Sequence, residues 1–139
     1  MIILDTNVVA EPMKPRANSS VIAWLDQQIA ETLYFTATSL SELLAGIAFL
    51  PKGKRRDGLA SALTTLLRRL FEQRILAFDR EAAVAYALLV SHARAAGHSV
   101  SVADAQIGSI ARLHGLAVAT RDSAPFVAMG IPVVNPWAP

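Results

Sequence analysis

The chain has 139 residues, of which 53% are hydrophobic and 17% are charged, and its net charge is +2. This composition predicts a single folded domain spanning residues 1–139 and excludes a disordered chain. The longest hydrophobic run, residues 82–90, is too short for a membrane helix, and the lack of cysteine excludes disulfides and thiolate zinc sites. No signal peptide precedes the first apolar run, so we expect a cytoplasmic protein without membrane attachment.

Short apolar runs alternate with helical patterns along the whole chain, and each kind of pattern predicts one type of element. The predicted elements, in chain order, are a strand at 2–4, a helix over 21–29, a strand at 33–36, a helix over 40–50, a helix over 59–70, a strand at 75–78, a helix from the N-cap Asp79 to Gly97, a helix over 103–114, and strands at 116–119 and 133–134. Helices between strands imply right-handed crossovers. The sequence therefore predicts an α/β fold with a five-stranded parallel sheet flanked by helices.

Four of the carboxylates fall where a parallel sheet forms its sites. Asp5 follows the first strand and Asp122 follows the fourth, while Glu42 and Asp104 lie in the first turns of two predicted helices. Ligands bind outside the carboxyl ends of parallel strands, so these acids could converge there. A hard cation such as Mg²⁺ or Mn²⁺ would offset their repulsion and support hydrolysis of phosphodiesters.

Helix capping is the alternative explanation for the same acids. The segments Ser39–Glu42 and Ser101–Asp104 both fit a capping box, and Asp5 and Asp122 could be simple N-caps. In that case the chain would be a protein-interaction module without catalytic activity.

A basic segment and the net charge both fit a nucleic-acid ligand. Without the four acids, the remaining chain would carry a net charge of +6 rather than +2. Lys54, Arg55 and Arg56 in the segment PKGKRRDG could contact phosphates, or they could form a solvated helix start. The three histidines lack metal-site spacing, and no P-loop, dinucleotide fingerprint or nucleophile elbow is present.

The ordered set LDTN, Ser41–Glu42, VADAQIGSIA and ATRD resembles the PIN domain, the metal-dependent ribonuclease domain of VapC-type toxins. The segments LDTNVVAEP and NPW are similar to the FitB branch of that family. The resemblance implies a catalytic quartet for an Mg²⁺- or Mn²⁺-dependent endoribonuclease, made of Asp5, Glu42, Asp104 and Asp122. It implies Asp5 and Asp104 as direct metal ligands, with Glu42 and Asp122 acting partly through water.

The resemblance also implies supporting residues and partners. Thr6, Asn7 and Thr120 would be polar groups behind the metal ligands, and Arg121 departs from the neutral residue found at this position in many PIN domains. Arg121 could contact phosphate or point outward. The expected partners are an RNA substrate, a small VapB- or FitA-like antitoxin of the ribbon-helix-helix type, operator DNA reached only through that antitoxin, and a second copy of the chain in a homodimer.

Two other enzyme classes that use aspartate are less consistent with the sequence. A haloacid dehalogenase-type phosphatase needs a second aspartate two residues after the first, and Asn7 occupies that position. A response-regulator receiver needs an acidic pair after the first strand, whereas Asp5 has no acidic neighbour.

Overall fold

A computed structural model describes all 139 residues of the chain. Five parallel strands form one sheet in the order β3-β2-β1-β4-β5. The strands are β1 Ile2–Leu4, β2 Leu33–Thr36, β3 Ile75–Leu76, β4 Ala117–Ala119 and β5 Val133–Val134. The helices are α1 Thr6–Ala10, α2 Ser19–Asp26, α3 Ala37–Ala48, α4 Lys54–Leu70, α5 Arg80–Ala95, α6 Val102–His114 and α7 Ala124–Ala128. The predicted α/β fold with a five-stranded parallel sheet is confirmed.

Both faces of the sheet are buried, as parallel strands require. Successive strand residues point to opposite faces, so Ile3 enters one hydrophobic core and Leu4 enters the other. The first core lies under α5, α6 and α7, and the second lies under α1, α2 and α4. No helix is both long enough and apolar enough to cross a membrane.

Several element boundaries differ from the predicted ones for local reasons. The helix predicted from residue 40 begins at Ala37, because the hydroxyl of Thr36 accepts a hydrogen bond from the backbone N–H of Ser39 at 3.0 Å. The helix predicted over 21–29 runs from Ser19 to Asp26, which leaves Ile29 outside it and exposed. The third strand is shorter than predicted and ends at Leu76. The short helices α1 and α7 were not predicted, because five residues are too few to show a helical period.

The predicted ends of the two long helices after β3 are close to the observed ones. Asp79 is the N-cap of α5, and its carboxylate accepts a hydrogen bond from the backbone N–H of Ala82 at 2.9 Å. Gly115 ends α6 in the left-handed conformation, with φ of 67°. The ends of these two helices could be predicted from the sequence because a capping residue acts on backbone groups only a few positions away.

Arg74 connects three parts of the second core. Its guanidinium donates hydrogen bonds to the carbonyl oxygens of Leu33 at 2.9 Å, Ala30 at 2.7 Å and Leu70 at 2.8 Å. These acceptors belong to β2, to the turn before it and to the end of α4. A single cation therefore fixes the position of α4 against the edge of the sheet.

Replacing Arg74 with methionine should lower the free energy of unfolding by about 2–3 kcal/mol, because partly buried carbonyl groups would lose their donors. Guanidinium unfolding curves would measure the change. Arg68→Met, at an exposed position of α4, is the control and should change stability by less than about 0.5 kcal/mol. An equal loss in both variants would show that the three hydrogen bonds add nothing.

Candidate active site

The fold brings the four predicted acids to the carboxyl edge of the sheet. Asp5 directly follows β1, and Asp122 lies in the loop after β4, the strand that pairs with β1. Asp104 lies in the first turn of α6, and Glu42 lies in the second turn of α3. Thr38 of α3 donates a hydrogen bond to the Gln106 side chain of α6 at 2.9 Å, which holds the two helix starts together. Sequence reasoning missed this pair, because neither residue belongs to a recognisable motif.

Asp5 is the buried member of the group, with only 6% of its surface exposed. Its Oδ1 accepts a hydrogen bond from the backbone N–H of Thr6, and its Oδ2 accepts one from the hydroxyl of Thr120, both at 2.8 Å. Burial raises the pKa of Asp5, the two hydrogen bonds oppose that rise, and the charges of Asp104 and Glu42 add to it. The negative charges of Asp104 and Glu42 therefore act on Asp5 across the site.

Asp104 is half-buried and carries a second perturbed carboxyl group. Its backbone N–H donates to the hydroxyl of Ser101 at 3.1 Å, so Ser101 is the N-cap of α6, as the capping box predicted. Burial raises the pKa of Asp104, the Ser101 hydroxyl opposes the rise, and the charge of Asp122 adds to it. Capping and membership of the acidic group are therefore compatible at this residue.

Glu42 does not act as the predicted capping-box residue. The cap of α3 is Thr36, three residues before Ser39, so Glu42 is beyond the first turn. Its Oε1 instead accepts a hydrogen bond from the hydroxyl of Thr6 at 2.9 Å. Asp122 is not an N-cap either, because α7 begins after Ser123. Both residues are exposed, and their side chains extend the site toward solvent.

Thr120 is the centre of the hydrogen bonds behind the acids. Its hydroxyl donates to Asp5 and accepts from the backbone N–H of Asp122 at 3.1 Å and from Nδ2 of Asn7 at 3.5 Å. The Asn7 side-chain oxygen accepts from the backbone N–H of Arg121 at 3.4 Å. The loop after β4 is thus tied to the residues after β1 through the side chains of Asn7 and Thr120.

Arg121 packs on an aromatic ring. The centre of its guanidinium lies 5.4 Å from the centroid of the Trp137 ring, a cation–π arrangement. Arg121 is exposed and makes no ion pair with Asp122, because the sole ion pair of the chain joins Lys14 to the buried Glu11 at 3.3 Å. The sequence motif NPW contains the tryptophan but gave no sign that it supports an arginine at the site.

The basic segment forms the first turn of α4, so the helix start that the sequence offered as one alternative is present. Lys54, Arg55 and Arg56 begin that helix, where the positive end of the helix dipole disfavours cations. Arg55 lines a cleft of about 690 Å³ together with Lys14 and Glu42. The structure therefore brings Arg55 to the edge of the acidic group, whereas Lys54 and Arg56 do not line this cleft.

The side chains suit a hard cation by their chemistry, although no three of them lie close enough together to form a ready ligand group. Glu42 and Asp5 are instead turned toward the hydroxyls of Thr6 and Thr120. Carboxylate oxygens are the preferred ligands of Mg²⁺ and Mn²⁺. A bound cation would offset the repulsion of Asp5 by the negative charges of Asp104 and Glu42.

Comparison with known proteins places this geometry in a family. The PIN domain family matches residues 2–131. The chain is 48% identical to plasmid stability protein StbB of Pseudomonas syringae pv. tomato over 137 residues, which cover 99% of both chains. It is 43% identical to toxin FitB of Neisseria gonorrhoeae and 42% identical to VapC ribonuclease Y4jK of Sinorhizobium fredii, with 99% or more of each chain covered.

Solved structures agree with these relatives. The fold is similar to the crystal structure of FitAcB from Neisseria gonorrhoeae, with a TM-score of 0.93, 43% identity and 99% of both chains covered. A structure of FitAB bound to an IR36 DNA fragment gives a TM-score of 0.94 at 41% identity, covering 99% of this chain and 96% of that one. The chain therefore belongs to the PIN domain family, as a homologue of the FitB toxin and of VapC ribonucleases.

Proposed function

We propose that this chain is the toxin of a toxin–antitoxin pair and that it hydrolyses RNA phosphodiester bonds with the help of a divalent cation. The observation that carries the proposal is Asp5, a buried carboxylate whose pKa is raised by burial and by the charges of Asp104 and Glu42. Such a group belongs to functional sites more often than to structural ones. The ribonuclease among its full-length relatives, VapC ribonuclease Y4jK, supports the same chemistry.

The four acids divide into an inner and an outer pair in this proposal. Asp5 and Asp104, the less exposed residues, would hold Mg²⁺ or Mn²⁺ directly, and Glu42 and Asp122 would complete the site, partly through water. A bound divalent cation supplies an activated water for in-line attack and offsets the charge that develops on the phosphate. The FitB-like family supports this assignment, and it leaves the choice between Mg²⁺ and Mn²⁺ to experiment.

The surrounding residues would orient the acids and the RNA. Thr6 holds Glu42, and Thr120 holds Asp5, so each hydroxyl fixes one carboxylate rotamer. Arg121 adds a cation next to Asp122 and has no acidic partner, which leaves its guanidinium able to bind a phosphate. Hydroxyls and an arginine would therefore set the geometry around the reacting phosphate without taking part in bond breaking.

The cleft beside Glu42 suits the tail of an antitoxin. Apolar side chains, including Leu43, Ile47 and Leu59, form much of its lining, and Glu42 lies at its edge. An apolar segment ending in a cation could fill the cleft and neutralise Glu42. We propose a small DNA-binding antitoxin of the ribbon-helix-helix type as the occupant, so that operator DNA is reached through the antitoxin alone.

The proposed assembly is a homodimer. The proposed location is the cytoplasm, where the chain would encounter both RNA and the antitoxin. Leu44 of α3 and Val84 and Leu88 of α5 are large apolar side chains that remain more than half exposed in the single chain. Burial of such residues against a second copy would be favourable. The measured mass of the free chain in solution tests this part of the proposal.

Asp5→Asn should abolish cleavage of a labelled RNA pool by the purified chain. The wild type should cleave with Mg²⁺ or Mn²⁺ and stop when EDTA is added, because Asp5 would hold the cation. Gel analysis of the labelled RNA measures both effects. Cleavage that persists in an identically prepared Asp5→Asn sample would mean that the observed activity comes from a contaminating nuclease and not from this site.

Asp104→Asn should raise the melting temperature of the metal-free chain by a few degrees at neutral pH. The pKa of Asp104 is raised in the folded state, so its contribution to stability is complete below the usual aspartate pKa of about 3.9 and is lost as pH rises through the higher folded value. Asparagine does not titrate, so the gap between variant and wild type should widen with rising pH across that window.

Calorimetry in EDTA measures that gap, with Asp26→Asn at an exposed position of α2 as the control. The cap of α6 uses the backbone N–H of residue 104, which the substitution retains. A clear loss of stability in Asp104→Asn would instead show that the carboxylate itself stabilises the start of α6, and it would favour a non-catalytic interaction module.

Replacing Lys54, Arg55 and Arg56 with alanine should weaken RNA binding and reduce its dependence on salt. The same change should not destabilise α4, because it removes cations from the positive end of the helix. Fluorescence titrations at several salt concentrations measure the slope. Arg68→Ala with Arg69→Ala, at the other end of α4, is the matched control, and equal slopes in both variants would exclude the first turn as a phosphate-binding segment.

A further inference from the structure

A second cleft lies beside the acidic group. It reaches Asp122, whereas the cleft described above reaches Glu42. Two cavities, of about 440 Å³ and 300 Å³, share His98, Ser99 and Val100 and therefore adjoin one another. The larger cavity extends to Arg94 near the end of α5, and the smaller one reaches Asp122. We call these two adjoining cavities the α5–α6 cleft. Their lining consists of Val90, Ala93, Arg94, residues 97–100, Asp122, Ala124, Pro125 and Ala128.

The polar side chains of the α5–α6 cleft have no partners within the chain. Arg94 and His98 are exposed, and neither side chain forms a hydrogen bond or an ion pair. The backbone at His98 is nevertheless fixed, because its N–H donates to the carbonyl of Ala93 at 2.8 Å. The guanidinium of Arg94 and the imidazole of His98 therefore belong to a hydrogen-bonded stretch of backbone, and their N–H donors are available to a ligand.

The charge of the cleft changes along its length. Arg94 supplies a positive charge at the outer end, and Asp122 is the acid at the inner end, where the acidic group begins. Val90, Ala93 and Val100 supply the apolar part of the lining of the larger cavity. A ligand with an anionic backbone and flat apolar faces matches this order of groups better than a purely anionic or purely apolar one.

We propose that the α5–α6 cleft is a binding subsite for the RNA strand that continues from the scissile phosphate, with Arg94 and His98 contacting a flanking phosphate. This inference rests on the proposed ribonuclease function. The combined size lies within the range of about 300–1,000 Å³ usual for ligand sites, so the cleft can hold a nucleotide. Arg94 and His98 are binding residues here, and the reaction itself belongs to the acidic group.

The test uses full-length Asp104→Asn protein, which should bind RNA without cutting it, and a fluorescein-labelled single-stranded RNA that the wild type cleaves. Adding Arg94→Ala should weaken binding about 3- to 10-fold and lower the salt slope by about 0.7, the value expected for one lost phosphate contact on a single strand. His98→Ala should weaken binding in the same direction. In the cleaving protein, Arg94→Ala should raise KM and leave kcat unchanged.

Two substitutions on the same helix serve as matched controls. Arg80→Ala removes the same charge from the opposite end of α5, and His92→Ala removes an exposed histidine that does not line either cavity. Neither should change affinity or salt slope. If Arg94→Ala and Arg80→Ala behave alike while the parent binds and the wild type cleaves, the subsite is overturned and the ribonuclease proposal stands.

A wild type that neither binds nor cuts any RNA would overturn the ribonuclease proposal and the subsite together.

With an RNA that the wild type cleaves, shortening the RNA on one side of its cleavage site gives the polarity of the strand. The dependence on Arg94 should disappear when the nucleotides removed are those that occupy the α5–α6 cleft. Persistence of that dependence with both shortened RNAs would contradict a subsite for the flanking strand.

Discussion

The burial of Asp5 at the end of the central strand is the constraint on which the rest of the site depends. A carboxylate taken out of water loses several kcal/mol of solvation unless hydrogen bonds or an opposite charge replace it. Two hydrogen bonds, from the Thr6 backbone and the Thr120 hydroxyl, offset part of that loss. The remaining cost falls on the folded chain and is increased by the charges of Asp104 and Glu42, and the proposed cation would offset it.

The sheet order explains why these groups meet. β1 lies between β2 and β4, so the residues that follow it face the loops after both neighbours. Asn7 and Thr120 connect the segment after β1 with the loop after β4. Thr6 connects the same segment with Glu42 on the helix after β2. A rigid parallel sheet thus supports side chains that come from distant parts of the sequence. Of the basic residues near them, Arg55 and Arg121 have no acidic partner, whereas Lys14 pairs with Glu11.

Patterns of local origin predicted much of this molecule. Strand and helix types followed from apolar spacing, and the caps Asp79 and Ser101 were found because capping involves residues three positions apart. The four acids were predicted to share one edge, since strand ends and helix starts meet there. The partners of Glu42 and Arg121 could not be predicted, because Thr6 and Trp137 reach them only through the tertiary fold. The same reason explains the missed Thr38–Gln106 hydrogen bond.

The wide separation of the acids along the chain has a consequence for protein synthesis. Residues 5, 42, 104 and 122 share no local segment, and the hydroxyl that orients Asp5 comes from residue 120. A nascent chain released only as far as α5 contains the strand that carries Asp5 but not the groups that complete its surroundings. A chain that ends before α6 would therefore lack Asp104, Asp122 and the Thr120 hydroxyl, so the proposed site could form only after most of the chain has been made.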